Sequence, residues 1–230
     1  MSDKVKNWYE HLPKNLKREN KLDKNFKKHH ILPTSMIACI GGTGSGKSNA
    51  IVDMISRMDE KFYTIIIFNP VSVDEPLYSL LKQKMPDVQL IDNIEELPSL
   101  SEFDEDKDQE KLIIVDDFIN MPKKDFKKVN EYFTGGRKHS FTVVCMAQNY
   151  TSIPKVISRN CQYFIVFKLN DNISINNIIR NHNIHNIDKE KFRAMYDDAT
   201  SEPLSFFMVD LKGNKETHLR KNFLKFYNSP

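Results

Sequence analysis

The chain has 230 residues, 40% hydrophobic and 28% charged, with a formal net charge of +3. That length suits one α/β domain with a real core and is short for two, and so mild a positive balance does not by itself demand a nucleic acid. No apolar run approaches the ~20 residues needed to cross a bilayer, and Cys39, Cys145 and Cys161 sit singly in apolar runs, which suits reduced thiols better than a disulfide or zinc site.

In chain order, residues 1–30 read as a basic arm. Lys4, Lys6, Lys14, Lys17, Arg18, Lys21, Lys24, Lys27 and Lys28 crowd it without an apolar centre, so no export signal is expected. A solvated tail is the plain reading of such a charge run, and contact with DNA phosphates or an acidic partner is the sharper one. Residues 31–230 are expected to form one domain.

The domain opens on the apolar run Ser35 to Ile40, followed by Gly41-Gly42-Thr43-Gly44-Ser45-Gly46-Lys47-Ser48. This satisfies G-x-x-x-x-G-K-[ST] and concentrates four of the chain's seven glycines in six positions. Glycine there permits sharp turns and close approach of backbone to a ligand. The backbone N–H groups of Gly42 through Ser48 would surround the phosphates of a nucleotide. Lys47 would reach the terminal ones, and the Ser48 hydroxyl would ligate Mg2+. Positions Gly41, Gly42, Thr43, Gly44, Ser45, Gly46, Lys47, Ser48 and Asn49 form the expected nucleotide-binding set. From Lys47 the spacing becomes helical, with Ile51, Met54, Ile55 and Met58 on one face.

Further apolar runs, Tyr63 to Phe68, Leu112 to Val115, Phe141 to Ala147 and Gln162 to Phe167, suit strands covered on both faces. Helical patterns at Leu77 to Lys84 and Asp125 to Phe133 alternate with them, and Val88 to Ile91 is a possible short extra strand. Glu102 to Glu110 reads as a mobile acidic loop. Ser174 to Ala199 reads as two helices parted near Asn186 and Ile187, and Leu204 to Leu211 with Glu216 to Phe223 as a terminal hairpin around Lys212-Gly213-Asn214-Lys215. The expected class is α/β, a mostly parallel central sheet with helices on both faces and a C-terminal hairpin.

Leu112-Ile113-Ile114-Val115-Asp116-Asp117 is an apolar strand ending in acid. A strand end delivers a carboxylate rigidly, so Asp116 is expected to hold Mg2+ and Asp117 to accept a proton from the water that attacks the γ-phosphate. Gln148 ends another strand. In an open parallel sheet the ligand crevice lies at the carboxyl ends of the strands, which places Gln148 to bond that water or sense the γ-phosphate. A further positive charge from a neighbouring subunit is expected to assist, and Arg137, after Gly135-Gly136, and Arg159 are its candidates.

The order of these pieces, the loop at Gly41 to Ser48, the strand into Asp116-Asp117, then Gly136-Arg137-Lys138-His139 leading to Ala147-Gln148, resembles the poxvirus-type genome-packaging ATPases of the FtsK/HerA superfamily. The resemblance covers roughly Ile31 to Phe223. It implies a RecA-like fold, ATP as the nucleotide, a ring of like subunits, capsid or portal partners, and sequence-independent movement of double-stranded DNA into a preformed capsid. It also implies work in the infected cell's cytoplasm or a viral factory, away from membranes. Many motor ATPases carry glutamate after the magnesium aspartate, whereas Asp117 reaches one methylene less far; packaging ATPases of this group often have aspartate there.

Two other classes stay open at this point. A small-molecule kinase or GTPase-like switch lacks an evident substrate lid and an N-K-x-D guanine-reading motif placed after the loop. A scaffold that merely binds nucleotide would not turn it over. Lys123, Lys124, Lys127 and Lys128 could line a DNA pore but read more simply as a solvated helix face. His182 and His185 have metal-like spacing with no further ligand to complete a site.

Overall fold

A computed structural model describes residues 5–13, 22–58, 61–71, 75–117, 121–122, 125–182, 184 and 187–227. Lys4, Lys14, Lys17, Arg18, Lys21, Lys123, Lys124, His185 and Asn186 lie outside these.

Among the described residues nine strands form one sheet: β1 (Met36–Ile40), β2 (Thr64–Phe68), β3 (Val88–Ile91), β4 (Lys111–Val115), β5 (Phe141–Ala147), β6 (Tyr163–Val166), β7 (Phe207–Asp210), β8 (Leu219–Lys221) and β9 (Lys225–Phe226). Their order is β3-β2-β4-β5-β1-β6-β7-β8-β9. Pairs from β3 through β6 are parallel, and β7, β8 and β9 extend the sheet antiparallel. Every residue of β1, β2, β4, β5 and β6 is buried, which explains continuous Ile/Val runs in place of an alternating pattern.

Two apolar layers sandwich the sheet. On one face α1 (Lys47–Met58) and α2 (Pro76–Lys84) bury Ile51, Met54, Ile55 and Leu81 against Ile37, Cys39, Ile65, Ile67, Leu112 and Ile114. On the other, α3 (Phe126–Gly135), α4 (Lys155–Asn160), α5 (Asn172–Asn181) and α6 (Lys189–Ala199) cover Ala38, Ile40, Ile66, Ile113, Val143 and Phe207. Side chains alternate across a strand, so neighbouring residues of β1 feed opposite layers. Local signals start the helices as physics requires. Pro76 opens α2 behind Glu75, whose carboxylate accepts the Leu77 N–H, and Asp171 accepts the Ser174 N–H at 2.7 Å to cap α5.

The mixed α/β class, the parallel sheet covered on both faces and the C-terminal hairpin agree with the expectation from sequence. Two elements, α4 and the two-residue β9, are additional, and the hairpin strands are shorter than expected, at Phe207–Asp210 and Leu219–Lys221. The acidic stretch from Glu102 to Glu110 is not the loose loop expected. Ser99 and Glu102 close a capping box over a 3-10 turn at Leu100–Phe103, and the Lys111 ammonium, buried at the start of β4, donates to the carbonyls of Asp106, Gln109 and His139. A buried ammonium with no carbonyl partners would be costly, so these contacts tie the loop to the sheet. Residues Leu22 to His30 also pack on the domain. His29 is fully buried with Nε2 2.8 Å from Asp23 Oδ2, and Arg57 in the last turn of α1 donates to the Lys28 carbonyl.

In the hairpin, Arg220 is fully buried. Its guanidinium lies 3.3 Å from Asp210 Oδ2 and donates to the His30 carbonyl, joining the last strands to the first packed segment. Cys39, Cys145 and Cys161 are free and buried. Burial pushes all three thiols up, Cys161 to about 12, so each behaves as a small apolar side chain. Among the described residues no helix is long and apolar enough to cross a membrane, and no group of three or more His, Cys, Asp or Glu could hold a metal ion.

Candidate functional site

Strand order creates the site. β5 lies between β1 and β4, so the loop after β1, the acids after β4 and Gln148 after β5 emerge side by side at the carboxyl edge of the sheet. The loop is sewn to this edge on both sides: Gly41 N–H donates to the Ala147 carbonyl at 3.0 Å, and Phe167 N–H to the Ile40 carbonyl at 2.8 Å.

Within the loop, Gly44 and Gly46 adopt φ of +74° and +101°, conformations open to glycine and strained for other residues. A Cβ on Gly46 would stand 2.6 Å from Leu204 Cδ2, and one on Gly41 would stand 2.8 Å from Phe167 Cβ. The loop is therefore shaped from beneath by Phe167 and Leu204. Leu204 is itself 57% exposed and left-handed at φ 62°, an uncommon state for a branched residue. Lys47 is half-buried and its ammonium donates back to the carbonyls of Gly41 at 2.7 Å and Gly42 at 3.1 Å. Ser45 Oγ is buried with no hydrogen-bond partner among the described residues. An orphan hydroxyl inside a glycine cradle, in a loop whose ammonium is held by neutral carbonyls, fits a polyanionic ligand. Thr43, Gly44 and Asn49 are exposed at its mouth.

The acids are held as firmly. Asp116 N–H donates to the Phe68 carbonyl, continuing the β2–β4 ladder by one residue. Asp116 Oδ1 accepts the Asp117 N–H at 2.8 Å and Oδ2 accepts the Tyr78 hydroxyl at 2.8 Å. Asp117 takes left-handed backbone at φ 47°, which turns the chain sharply at the end of β4. Tyr78 projects from α2, is 3% exposed and also reaches Met146 Sδ on β5. Burial pushes its phenol far up, the negative charge of Asp116 adds to that, and the Ser48 side chain stands near enough to oppose it. One phenol thus faces both the loop serine and the strand-end aspartate. That serine hydroxyl and that carboxylate form a donor set of hard oxygens suited to Mg2+.

Gln148 is exposed on the same edge. The residues after it are anchored: Asn149 caps the turn at Tyr150–Ser152, Tyr150 N–H donates to Ser174 Oγ, and the Tyr150 hydroxyl meets His182 Nε2 at 2.9 Å.

The two candidate arginines stand elsewhere. Arg137 lies in a 3-10 turn before β5 and Arg159 in the last turn of α4 before β6, both exposed at the amino edge of the parallel strands. They are not beside their own chain's loop. Lys128 donates to the carbonyls of Ile94 and Glu95, while Lys127 is exposed. His182 is engaged by Tyr150. Residues 20–23 do spell N-K-x-D ahead of the loop, but Asp23 binds His29 and the Asn25 N–H at the far end of α1, away from the cradle.

Tyr78, Phe167 and Leu204 escaped the sequence reading. A tyrosine on the apolar face of a short helix carries no signal of its polar partner, and Leu204 looks like an ordinary hairpin residue.

A model of the family described as "Poxvirus A32 protein" matches residues 23–202. No curated protein matches. Among solved structures, the genome packaging NTPase B204 of Sulfolobus turreted icosahedral virus 2, in complex with sulfate, superposes with a TM-score of 0.59 at 14% identity, covering 84% of this chain and 97% of that one. The DNA-packaging ATPase B204 of Sulfolobus turreted icosahedral virus gives 0.56 at 14%, covering 83% and 97%. The cytoplasmic domain of the type VII secretion ATPase EccC of Thermomonospora curvata gives 0.55 at 12%, covering 85% of this chain and 26% of that one. These likenesses concern the fold. The family match spans most of the chain and includes the loop, the acids and Gln148, so the chain belongs to the Poxvirus A32 protein family of viral packaging ATPases.

Proposed function

We propose that this chain is the ATP-driven motor that moves double-stranded viral DNA into a preformed capsid, acting as a ring of like subunits on a capsid or portal component. The observation that carries the reading is the convergence of the glycine cradle with Lys47, the Asp116-Asp117 strand end and Gln148 on one sheet edge, in a chain of a packaging-ATPase family. A B204 structure with the same fold holds AMPPCP and another ATP-gammaS, which supports a nucleoside triphosphate as the ligand.

In this reading the amides of Gly42 to Ser48 grip the phosphates, and Lys47 exchanges its carbonyl partners for phosphate oxygens. Ser48 and Asp116 would hold Mg2+, which when bound neutralises charge on the β- and γ-phosphates. Asp117 takes the proton of the attacking water, and Gln148 orients that water or reads the γ-phosphate. The anchored turn at Asn149 to Ser152 then carries the change toward α5. Because Arg137 and Arg159 lie on the opposite edge, either acts only on the nucleotide of a neighbour whose cradle faces that edge. DNA is gripped through its phosphates, without reading bases.

The test is phosphate release by the assembled protein with and without duplex DNA. DNA stimulates release, and Lys47→Ala lowers it by at least ~10²-fold, the scale for losing one well-placed cationic or donor group. An assembled oligomer whose turnover ignores DNA sinks the motor reading.

A further inference from the structure

We infer that Tyr78 is a positioning residue of the nucleotide site: its buried hydroxyl locks the Asp116 carboxylate in the single orientation from which it and Ser48 hold Mg2+ with the nucleotide. This rests on the reading of the site given above. Four observations lead to it. The Tyr78 hydroxyl lies 2.8 Å from Asp116 Oδ2. The other oxygen of that carboxylate is taken by the Asp117 N–H at 2.8 Å, so both oxygens are held and the group cannot spin about its last bond without breaking a hydrogen bond. The Ser48 side chain stands close to the same phenol. Tyr78 itself is 3% exposed and wedged from α2 against β5 through Met146, so the hydroxyl has no freedom to drift.

The arrangement has a chemical consequence. With one lone pair on each oxygen already engaged, Asp116 offers a metal only its remaining lone pairs, in directions fixed by Tyr78 and by the backbone at Asp117. A partner that orients a metal-holding carboxylate in this way usually accounts for 10–100-fold of metal affinity. The geometry also links elements. α2 follows β2 and touches Asp116 through one phenol, so a displacement of α2 reaches the Asp116 carboxylate directly.

A purely structural account exists for the same contact: a buried phenol requires some acceptor, and Asp116 supplies it. The two accounts differ in what Tyr78→Phe does, since that change removes one hydroxyl and leaves the ring in place. The probe is a fluorescent ATP analogue titrated onto the intact protein in excess Mg2+ and again in EDTA. In the wild type, Mg2+ tightens binding. In Tyr78→Phe the affinity in EDTA stays within about 2-fold while the tightening by Mg2+ shrinks by ~10-fold, and a second change, Asp116→Asn, made in the Tyr78→Phe background, reduces it much less than the same change in the wild type. Loss of melting temperature with the Mg2+ effect intact overturns the proposal in favour of the structural account. Should Tyr78→Phe not fold, ring-labelled tyrosine NMR of the wild type decides: the Tyr78 Cζ signal moves when Mg2+ is added to the ADP-bound protein, and a signal that does not move overturns the proposal. Absence of any Mg2+ effect in the wild type is a separate result and counts against the site itself.

Discussion

At the scale of single residues, Asp117 combines two demands. Its φ of 47° is a left-handed conformation that costs an ordinary L-residue roughly 1–2 kcal/mol, and aspartate and asparagine tolerate it better than most. In the proposed mechanism this turn presents the Asp117 side chain, as the base, at the end of the strand. Asp117→Asn therefore separates the demands. The melting temperature changes little because asparagine also accepts this backbone, while turnover in a phosphate-release assay falls by ~10²-fold or more. Unchanged turnover would assign proton transfer to another group. The same logic explains why Leu204 is worth notice. A leucine held left-handed against Gly46 is strained, and the strain sits against the cradle of the loop.

At the scale of elements, β5 and α5 are joined by more than apolar packing. Tyr150 links the turn after Gln148 to Ser174 and His182, and the His182 ring lies 4.5 Å from that of Phe164. Burial lowers the His182 proton affinity below the ordinary histidine value. His29 and His30 are lowered for the same first reason, with Asp23 opposing the effect at His29. A histidine depressed in the folded state contributes its full stability above pH ~6.5, and that contribution is lost as pH falls, because the unfolded chain takes up the proton first. Chemical denaturation at pH 7.5 and 5.5 is expected to show a lower midpoint at the acidic value. In His182→Asn that difference shrinks without vanishing, since His29 and His30 remain. A midpoint independent of pH in the wild type contradicts this picture.

Elements of this chain also differ in how plainly their residues announce them. The runs ending at Ile40, Val115 and Ala147 were legible as strands because strands buried on both faces must be continuously apolar, and the Pro76 and Asp125 regions announced helices through periodicity. α4 was not legible: six residues with Ile157 and Ser158 buried are too short to establish a period. The acidic loop misled for a different reason. Its charges suggested mobility, while it is organised by the buried Lys111 ammonium at the start of the next strand together with the Ser99–Glu102 capping box.

At the scale of the whole molecule, the two exposed arginines and the cradle occupy opposite edges of one sheet, a layout that suits subunits meeting edge to edge. A motor that handles any genome contacts phosphates, and each neutralised phosphate releases counterions. DNA stimulation of phosphate release is accordingly expected to fall steeply between 50 and 200 mM salt, by ~10-fold or more, and to be equal for duplexes of unrelated sequence. A response that ignores salt, or one that prefers a sequence, speaks against phosphate-based gripping. Arg137→Ala and Arg159→Ala, mixed with wild-type subunits, then distinguish an arginine supplied by a neighbour from one that serves only its own chain.

The local pattern of residues carries the chemistry of each strand end: a glycine loop with Lys47 and Ser48, a pair of acids, a glutamine. These are local features, set by residue type and by spacing of a few positions. Tertiary structure alone decided that they meet, because β5 inserts between β1 and β4 and no local pattern specifies strand order. It also decided that Tyr78, more than thirty residues from Asp116 in the chain, holds that carboxylate. Contacts of that kind depend on long-range packing of helix on sheet, where a side chain's neighbours are chosen by the fold and not by its place in the chain.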